Sequence, residues 1–463
     1  MARSGKNKAV QQEEEVPAAP PRRKSIVLTP ICLMYLALAV VYNLVILAGT
    51  PDQHNADENA HVLYVVSLVH GHLPVFVAGN NAYENHQPPL YYLLCVPLFL
   101  AYKSLGVSGV IHAMRFVGTL LGILLIFVAY KTSQLLFPDK DVLNGSVAAF
   151  VAFLPMNINL CASVTNDTLT NLIIALGLWQ GVNIVVNAKE KQSRKWIVGQ
   201  SLIFGVILGA GILTKTSTLL LFPIAIVVYV LAARRGLLEG KLALQGAVNT
   251  IALGLLIGWP WLMRNQMLYG DPVAQHIFEN AFGNTALADT IIRFVCHGSI
   301  SDYFAVVAKW TFASYWGVFD SMRLFWGQPP LGNPPSVEAP LNPIYNVILA
   351  VAAFSFIGLI RLTIKKPDYI TPAVGVALSI FVTLIFLTGF VFLRFILEFF
   401  QAQGRYIYPS LVPLTILFWL GLFVWTEKTF VQRIISAAVI IGMLALNVYT
   451  IMSLLMPRFG ELG

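Results

Sequence analysis

Asp57, Glu58 and His61 lie close together in the stretch ADENAH, although only 11% of the residues in the chain are charged. Ionisable groups in so apolar a chain are costly to bury and tend to serve a function, so this cluster is a candidate for general base catalysis. A simpler alternative is the start of an amphipathic helix, with Asp57 as its cap and Glu58 in its first turn. The residue types alone leave both interpretations open.

Glu58 and His61 also have the spacing Glu-x-x-His, which places both side chains on one face of a helix. Helical bundles build carboxylate-bridged metal sites with this spacing, but a dinuclear site needs a second such pair, which the sequence lacks. A single divalent cation bound by Asp57, Glu58 and His61 is therefore another hypothesis for the same cluster.

The surrounding chain has the composition of a membrane protein. Its 463 residues are 57% hydrophobic and 12% aromatic, and the mean hydropathy is +0.72. A spanning helix needs about 20 mostly apolar residues, because lipid offers no hydrogen-bond partner to the backbone. The sequence predicts eleven such helices, the first at residues 26–48. The other ten are predicted at about 113–131, 143–162, 168–187, 196–213, 217–233, 244–262, 341–361, 370–396, 406–425 and 431–455.

The net charge of +8 comes from Lys and Arg in short clusters between the apolar runs, which indicates membrane orientation rather than nucleic-acid binding. Residues 1–24 are polar and proline-rich, which predicts a disordered tail. With this tail in the cytosol, every basic cluster falls inside, provided that residues 88–102 form a half-inserted or interfacial helix. The sequence thus predicts a multi-pass protein of the cytoplasmic membrane.

In this orientation the unusual polar residues fall on the outer face, in residues 49–112, 163–167, 214–216, 263–340 and 401–406. A helix start with an aromatic belt explains the prolines and tyrosines of YENHQPPLYY, but not Glu84 and His86. In SVTNDTL, Asn166 and Asp167 either cap a helix or face a substrate.

Three cations are predicted at the same face. Lys215 either snorkels to the lipid headgroups or meets a lipid phosphate. Arg264 and Arg405 run against the positive-inside bias, so we predict that each binds a phosphate. Carboxylates and cations at a lipid boundary suit a polyprenyl-phosphate sugar. A carboxylate would take the proton of an attacking hydroxyl, while the cations stabilise the departing phosphate.

Several short motifs, taken in order, resemble the multi-spanning GT-C glycosyltransferases. They are ADENAH, HQPPLYY, TND, LTKTS, PWLMRN with YGDP, and QGRYIYP. The sequence is most similar to the family 39 type, which includes protein O-mannosyltransferases and lipid A aminoarabinose transferases. One departure is Gln87, which stands where such relatives often have a lysine beside the double proline.

The resemblance implies an all-α polytopic GT-C-like fold with about eleven transmembrane helices. Residues 25–463 would form one domain, with juxtamembrane helices in the outer loop 49–112 and a long outer loop at 263–340. It also implies that Asp57 is the catalytic base, assisted by Glu58 and His61. The expected donor and phosphate contacts are His86, Lys215, Arg264 and Arg405. The expected substrate contacts are Glu84, Gln87, Tyr91, Asn166, Asp167, Asn265, Gln403 and Tyr406.

These features predict an inverting glycosyltransferase that moves a sugar from a polyprenyl-phosphate donor to a lipid, glycan or protein acceptor. A divalent cation is the one cofactor considered. Two alternatives stay open, a transporter or flippase for lipid-linked saccharides and an oligosaccharide polymerase or ligase. The polar residues cluster at one face, and no internal repeat is evident, which favours the enzyme over the transporter.

Overall fold

The computed structural model describes residues 28–46, 57–77, 79, 81–281, 286–320, 322–327 and 342–460. The predicted tail at residues 1–24 lies outside the described residues. So do residues 47–56 of the first loop and 328–341 of the long loop. The fold below is that of the described part of the chain.

The described chain is almost entirely helical. In its first half the helices are α1 (Leu28–Val45), α2 (Glu58–Val69), α3 (Leu90–Tyr102), α4 (Gly106–Leu136), α5 (Asp141–Phe153), α6 (Pro155–Cys161), α7 (Asp167–Asn187), α8 (Arg194–Ile212) and α9 (Leu221–Arg234). In its second half they are α10 (Gly240–Tyr269), α11 (Gln275–Ala281), α12 (Ala288–Phe294), α13 (Ile300–Gly317), α14 (Pro343–Lys365), α15 (Pro372–Ile396), α16 (Leu411–Phe423), α17 (Thr429–Tyr449) and α18 (Met456–Gly460).

Shorter elements join these helices. Four 3-10 turns are formed by Tyr83–His86, Lys103–Leu105, Thr216–Leu220 and Gly404–Ser410, and Thr450–Leu455 is a π-helical turn before α18. Strands β1 (Val318–Phe319) and β2 (Leu324–Phe325) pair antiparallel, with Val318 opposite Phe325. This hairpin is the one sheet among the residues that the structure describes.

The predicted all-α polytopic fold is confirmed. Ten helical segments of the described chain are long and apolar enough to cross a membrane. The count is eleven if α5 and α6, which meet at a bend of 59°, form one span. Among these ten segments α7 is the most enclosed, because 78% of its most apolar window is buried, whereas only 17% is buried in α14.

Helices α8 and α10 approach each other through glycines. A methyl group added at Gly209 would lie 2.5 Å from the Cβ of Ile257, and one added at Gly258 would lie 2.4 Å from Cδ1 of Ile212. Small residues let the backbones of two membrane helices pack closely. In lipid the hydrophobic effect does not drive helices together, so van der Waals contact stabilises their association. This contact holds α10 against the helix that leads to Lys215.

The residues predicted as a half-inserted helix form α3, which has 13 residues with Pro97 inside it. At 1.5 Å per residue it extends about 20 Å, short of the roughly 30 Å hydrocarbon core. A 3-10 turn and Gly106, with φ of 73°, then redirect the chain into α4. The length of α3 therefore agrees with the prediction that it does not cross the membrane by itself.

Two helices extend into the residues predicted as outer loops. Helix α4 begins at Gly106, within the predicted first loop 49–112. Helix α10 continues to Tyr269 and ends at Gly270, whose φ of 72° suits a helix terminus. Arg264 and Asn265 therefore lie inside a helix, and the bounds of the outer loops stay predictions.

A buried ion pair between α2 and α4 fixes the start of α2. The Glu58 carboxylate accepts hydrogen bonds from Nε of Arg115 at 2.9 Å and from Nη2 of Arg115 at 2.7 Å. Both side chains are 0% exposed. Arg115 also donates to the carbonyls of Asn43 and Ile46, and Glu58 accepts from the amide of Val164. The pair therefore joins the end of α1, the start of α2, the helix α4 and the turn before α7.

We predict that Arg115→Met destabilises the protein more than the double variant Glu58→Leu with Arg115→Met. Removing one partner leaves an uncompensated buried charge, which costs about 3–5 kcal/mol, whereas apolar replacement of both partners avoids this cost. Thermal unfolding in detergent micelles measures the difference. The control is Arg293→Met, which removes an arginine that pairs with Asp289 in an exposed position. Equal losses in the single and double variants would contradict this account.

Candidate active site

A cavity of about 760 Å³ lies where the amino end of α7 and the turn before α9 meet the 3-10 turn before α16 and the end of α15. The Tyr83–His86 turn, α2 and α11 also contribute to its wall. Nine of the fifteen predicted site residues line this cavity. They are Asp57, His61, Glu84, His86, Gln87, Asp167, Lys215, Arg405 and Tyr406.

Asp57 is held by two partners from distant parts of the chain. Its Oδ1 accepts a hydrogen bond from the Tyr83 hydroxyl at 2.8 Å, and its Oδ2 accepts one from Nη2 of Arg405 at 2.6 Å. Burial raises the pKa of the Asp57 carboxyl, but the Arg405 charge and the two hydrogen bonds bring it down to about 2. Asp57 is therefore ionised at neutral pH.

Asp57 precedes α2 without capping it through its side chain. Its φ of 67° lies in the left-handed region, which Asp tolerates better than most residues and which is enriched at functional sites. The alternative interpretation of Asp57 as a side-chain cap is thus wrong. This backbone conformation turns the carboxylate toward Arg405 instead.

Lys215 and Asp167 form a second ion pair in the cavity. Nζ of Lys215 lies 2.5 Å from Oδ1 of Asp167, and Nη1 of Arg405 lies 3.9 Å from Oδ2 of the same carboxylate. Burial lowers the pKa of Lys215, but the charges of Asp167 and Glu84 raise it by more. Because Asp167 pairs with Lys215 and Asn166 makes no side-chain cap bond, the capping alternative for both residues is also wrong.

Arg405 joins the two ion pairs and keeps one unused donor. Its side chain is 7% exposed and contacts Asp57 and Asp167, while its carbon Cζ lies 5.4 Å from the centre of the Tyr406 ring. Its Nε is buried and has no hydrogen-bond partner. A guanidinium has five N–H donors, so Arg405 can bind an anion without releasing Asp57.

His86 is a neutral member of the cavity wall. Burial lowers the pKa of His86 to about 4. Its Nδ1 lies 2.8 Å from the carbonyl of Tyr83, and its Nε2 lies 3.1 Å from Nε2 of Gln87. A carbonyl only accepts and an amide nitrogen only donates, so this arrangement protonates Nδ1 and makes Nε2 an acceptor. His86 is therefore neutral in this arrangement, and its predicted contact with the donor phosphate stays a prediction.

Six predicted residues lie outside the cavity wall because other groups hold them. Tyr91 accepts from the amide of Thr165, Asn166 donates to the carbonyl of Thr214, Asn265 donates to that of Pro272, and Gln403 donates to Gln401. Arg264 donates to the carbonyl of Pro74 and stacks on Trp261, so it fastens the loop after α2 to α10. Glu58 pairs with Arg115. The predictions that these residues contact substrate or assist the base are not supported by their positions.

The predicted ligand set of Asp57, Glu58 and His61 does not come together. Glu58 is engaged by Arg115, and Nδ1 of His61 lies 2.8 Å from the Tyr92 hydroxyl. Among the described residues, no three His, Cys, Asp or Glu side chains meet in an arrangement that could hold a metal ion. The described residues thus do not fit the divalent cation hypothesis.

Many residues of the cavity wall were missed from the sequence, Tyr83 and Arg394 among them. Tyr83 was assigned to an aromatic belt, although it contacts Asp57. Arg394 lines the cavity from the last turn of α15, and an arginine inside an otherwise apolar run could have identified it. No sequence signal pointed to α11, which contributes Gln275 and Glu279.

The apolar part of the wall comes from α9, the turn before it and α15. It includes Leu219, Leu220, Pro223, Phe390, Phe392 and Phe395. Phe390 is 58% exposed, so this wall continues onto the outside of the helix bundle. The cavity therefore joins a charged cluster to a surface that would face lipid.

The fold is similar to that of the archaeal oligosaccharyltransferase from Archaeoglobus fulgidus. The form tethered with an acceptor peptide containing the NVT sequon has a TM-score of 0.54 at 12% identity, covering 94% of this chain and 55% of that chain. The AglB complex with an inhibitory peptide and a dolichol-phosphate has a TM-score of 0.51 at 13% identity, covering 94% and 56%. This chain thus spans little more than half the length of those proteins. ArnT from Cupriavidus metallidurans bound to undecaprenyl phosphate has a TM-score of 0.47 at 16% identity, covering 89% of this chain and 63% of that chain.

The sequence comparison agrees with the fold. The family described as dolichyl-phosphate-mannose-protein mannosyltransferase matches residues 87–263. No curated protein sequence matches the chain. The predicted resemblance to the GT-C glycosyltransferases is confirmed by the family match and the fold together. The matched segment contains Asp167 and Lys215, whereas Asp57, Glu84 and Arg405 lie outside it.

We predict that the stability difference between the unmodified protein and Asp57→Asn narrows as the pH falls. The pKa of Asp57 is about 2, below the ordinary value of 3.8, so its stabilising contribution is present above about pH 4. It is lost between about pH 4 and pH 2, where the native carboxylate becomes protonated and resembles Asn. Thermal unfolding in detergent at pH 7, 4 and 3 measures this effect. Asp289→Asn controls for the loss of one charge, and a constant difference across these pH values would refute the prediction.

Proposed function

We propose that the chain is an inverting glycosyltransferase that moves a sugar from a polyprenyl-phosphate donor to a lipid, glycan or protein acceptor. The supporting observation is the cavity itself, which joins Lys215 and Arg405 to an apolar wall that opens toward lipid. A polyprenyl-phosphate sugar has the matching parts, a polar sugar, an anionic phosphate and a long apolar tail.

The donor phosphate would bind between Lys215 and Arg405. Arg405 has an unpartnered Nε, and Lys215 has ammonium donors beyond the one directed at Asp167. These two cations replace the lysine that the relatives often carry where this chain has Gln87. Arg264, also predicted to bind phosphate, lies outside the wall of this cavity, where its guanidinium donates to the loop carbonyl of Pro74.

The polyprenyl tail would leave the cavity along α15 and α9. The phenylalanines of α15 that line the cavity continue to the exposed side of this helix, so a tail can lie there without passing through the charged cluster. The dolichol-phosphate in the complex of the A. fulgidus enzyme supports a ligand of this class.

The reaction would be a displacement at the anomeric carbon. An acceptor hydroxyl attacks from the side opposite the phosphate, so the configuration inverts, and the bond to the phosphate oxygen breaks. Lys215 and Arg405 would stabilise the negative charge that develops on this oxygen. Phosphate is a good leaving group when its charge is held in this way, so no general acid is required.

We further propose that the cavity lies at the outer face of the cytoplasmic membrane and that the amino terminus is cytosolic. Asp167 begins α7 at the cavity, and α7 ends at Asn187, just before the basic residues 189–195. Helices α9 and α14 likewise end at Arg234 and Lys365. The positive-inside rule places these basic ends in the cytosol, and the cavity would then face outward.

The decisive assay measures donor consumption by the purified protein. The donors are mannose, glucose and a pentose, each linked to undecaprenyl phosphate or to dolichyl phosphate, and a membrane extract is the acceptor source. We expect one donor to be consumed, with release of free polyprenyl phosphate. Consumption of no donor, with movement of an intact donor across a vesicle membrane, would identify a transporter instead.

We predict that Arg405→Lys lowers the turnover of the consumed donor by about 100-fold or more. A lysine keeps the charge but loses the planar donors that reach the phosphate and Asp57 together, and one missing oxyanion donor costs about 10²–10³ in rate. Initial rates of phosphate-lipid release measure this effect. Arg293→Lys, at an exposed position on α12, should retain full turnover. Unchanged turnover in Arg405→Lys would exclude Arg405 from phosphate binding.

A further inference from the structure

Asn171 is a polar side chain of the cavity wall that the proposed reaction leaves unused. It lies on α7, it is 5% exposed, and it lines the cavity. Its amide has no hydrogen-bond partner in the part of the chain that the structure describes. Neither Oδ1 nor Nδ2 belongs to the partnerless side-chain atoms that are sealed from solvent, so both atoms open onto the cavity. Buried polar side chains are normally hydrogen-bonded, so an amide in this state indicates a ligand.

Asn171 lies one helical turn from Asp167, on the same face of α7. Residues four apart in a helix are neighbours, with Cβ atoms about 5–6 Å apart. Because α7 begins at Asp167 and runs into the helix bundle, Asn171 is about 6 Å farther along the helix than the ion pair of Asp167 with Lys215. Its amide therefore stands on the membrane side of the cations that would bind the donor phosphate.

Asn171 carries the unused hydrogen-bond donor of this helix face. Three described side chains of α7 line the cavity, those of Asp167, Thr170 and Asn171. Asp167 accepts a hydrogen bond from Lys215, and the Thr170 hydroxyl donates to the carbonyl of Asn166. Among these three side chains, the amide of Asn171 is the group that is free to donate to a ligand.

The apolar wall of the cavity decides which part of the donor lies at this depth. Leu219, Leu220 and Pro223 line the cavity from α9 and the turn before it, and Phe390 lines it from α15. The parts of a polyprenyl-phosphate sugar have the fixed order sugar, phosphate and tail. A tail that leaves along this wall puts the phosphate and the first isoprene unit on the membrane side of the cavity, and the sugar on the aqueous side.

We propose that Asn171 binds the donor phosphate from the membrane side, with Nδ2 of its amide donating to a phosphate oxygen. This inference rests on the proposed function and adds a neutral donor to the two cations of its phosphate site. An isoprene unit accepts no hydrogen bond, whereas a charged oxygen beside apolar side chains is costly without one. Both cations already pair with carboxylates, so an amide adds a hydrogen bond without another charge to compensate.

The experiment measures the binding of radiolabelled undecaprenyl phosphate and dolichyl phosphate to the purified protein in detergent micelles. Neither lipid carries a sugar, so a contact with the phosphate is separated from a contact with the sugar. Asn171→Leu keeps a similar volume and removes the donor. We expect the Kd of the lipid phosphate to rise about 10-fold or more, the usual contribution of a hydrogen bond to a charged group. Undecaprenol, which has the tail but no phosphate, should bind the unmodified protein and Asn171→Leu equally.

Asn183→Leu is the matched control. Asn183 lies on the same helix outside the cavity wall, and its amide donates to the side chain of Gln200 at 2.8 Å. The Kd of the lipid phosphate should be unchanged in this variant. An equal rise of the Kd in Asn171→Leu and Asn183→Leu would show that a general disturbance of α7 weakens binding, and it would overturn the proposal.

Each unfavourable outcome has a distinct meaning. If neither lipid phosphate binds the unmodified protein, the proposed function fails and this inference fails with it. If one of them binds the unmodified protein and Asn171→Leu with the same Kd, only the contact of Asn171 is overturned. An unchanged Kd with an altered preference among the mannose, glucose and pentose donors would assign Asn171 to the sugar instead. Should Asn171→Leu fail to fold, Asn171→Ala replaces it, and an unchanged Kd there overturns the proposal equally.

Discussion

The buried pair of Glu58 and Arg115 is the interaction on which the site depends. Two charges removed from water persist only when each satisfies the other, and here the side chains of Glu58 and Arg115 are both fully buried. The pair fixes the first residue of α2 against α4 and the turn before α7. Asp57 precedes Glu58 directly, so the pair holds the residue next to Asp57, which has a left-handed backbone and bonds to Arg405.

The same requirement organises the cavity. Asp57, Asp167, Lys215 and Arg405 come from four separate parts of the chain, and each acid is neutralised by a cation of another segment. Within the described chain, Nε of Arg405 and the amide of Asn171 are left without a hydrogen-bond partner. Unused donors in one cavity suggest an anionic ligand. A glycosyl phosphate is such a ligand.

Much of the fold could be predicted, because lipid imposes strong rules on sequence. Apolar runs of sufficient length specified the spanning helices, and the short run at 88–102 was distinguished by its length and prolines. Helix ends were less accurate. The span was predicted to end at about residue 262, whereas α10 continues to Tyr269, with Arg264 stacked on Trp261 and bonded to the Pro74 carbonyl. Such contacts depend on residues nearly 200 positions away and have no local signature.

The sequence by itself determined which residue types would stand at one end of the helices, because charged groups in an apolar chain are confined to helix ends. It therefore identified Asp57, Glu84, Asp167, Lys215 and Arg405 as candidates. Tertiary structure alone decided how these charges pair. Adjacent Asp57 and Glu58 take opposite roles, one in the cavity and one in a buried clamp. The physical reason is that a buried charge is stable only beside an opposite charge, which offsets the cost of its desolvation. The partners Arg115 and Arg405 are distant in sequence from Asp57 and Glu58.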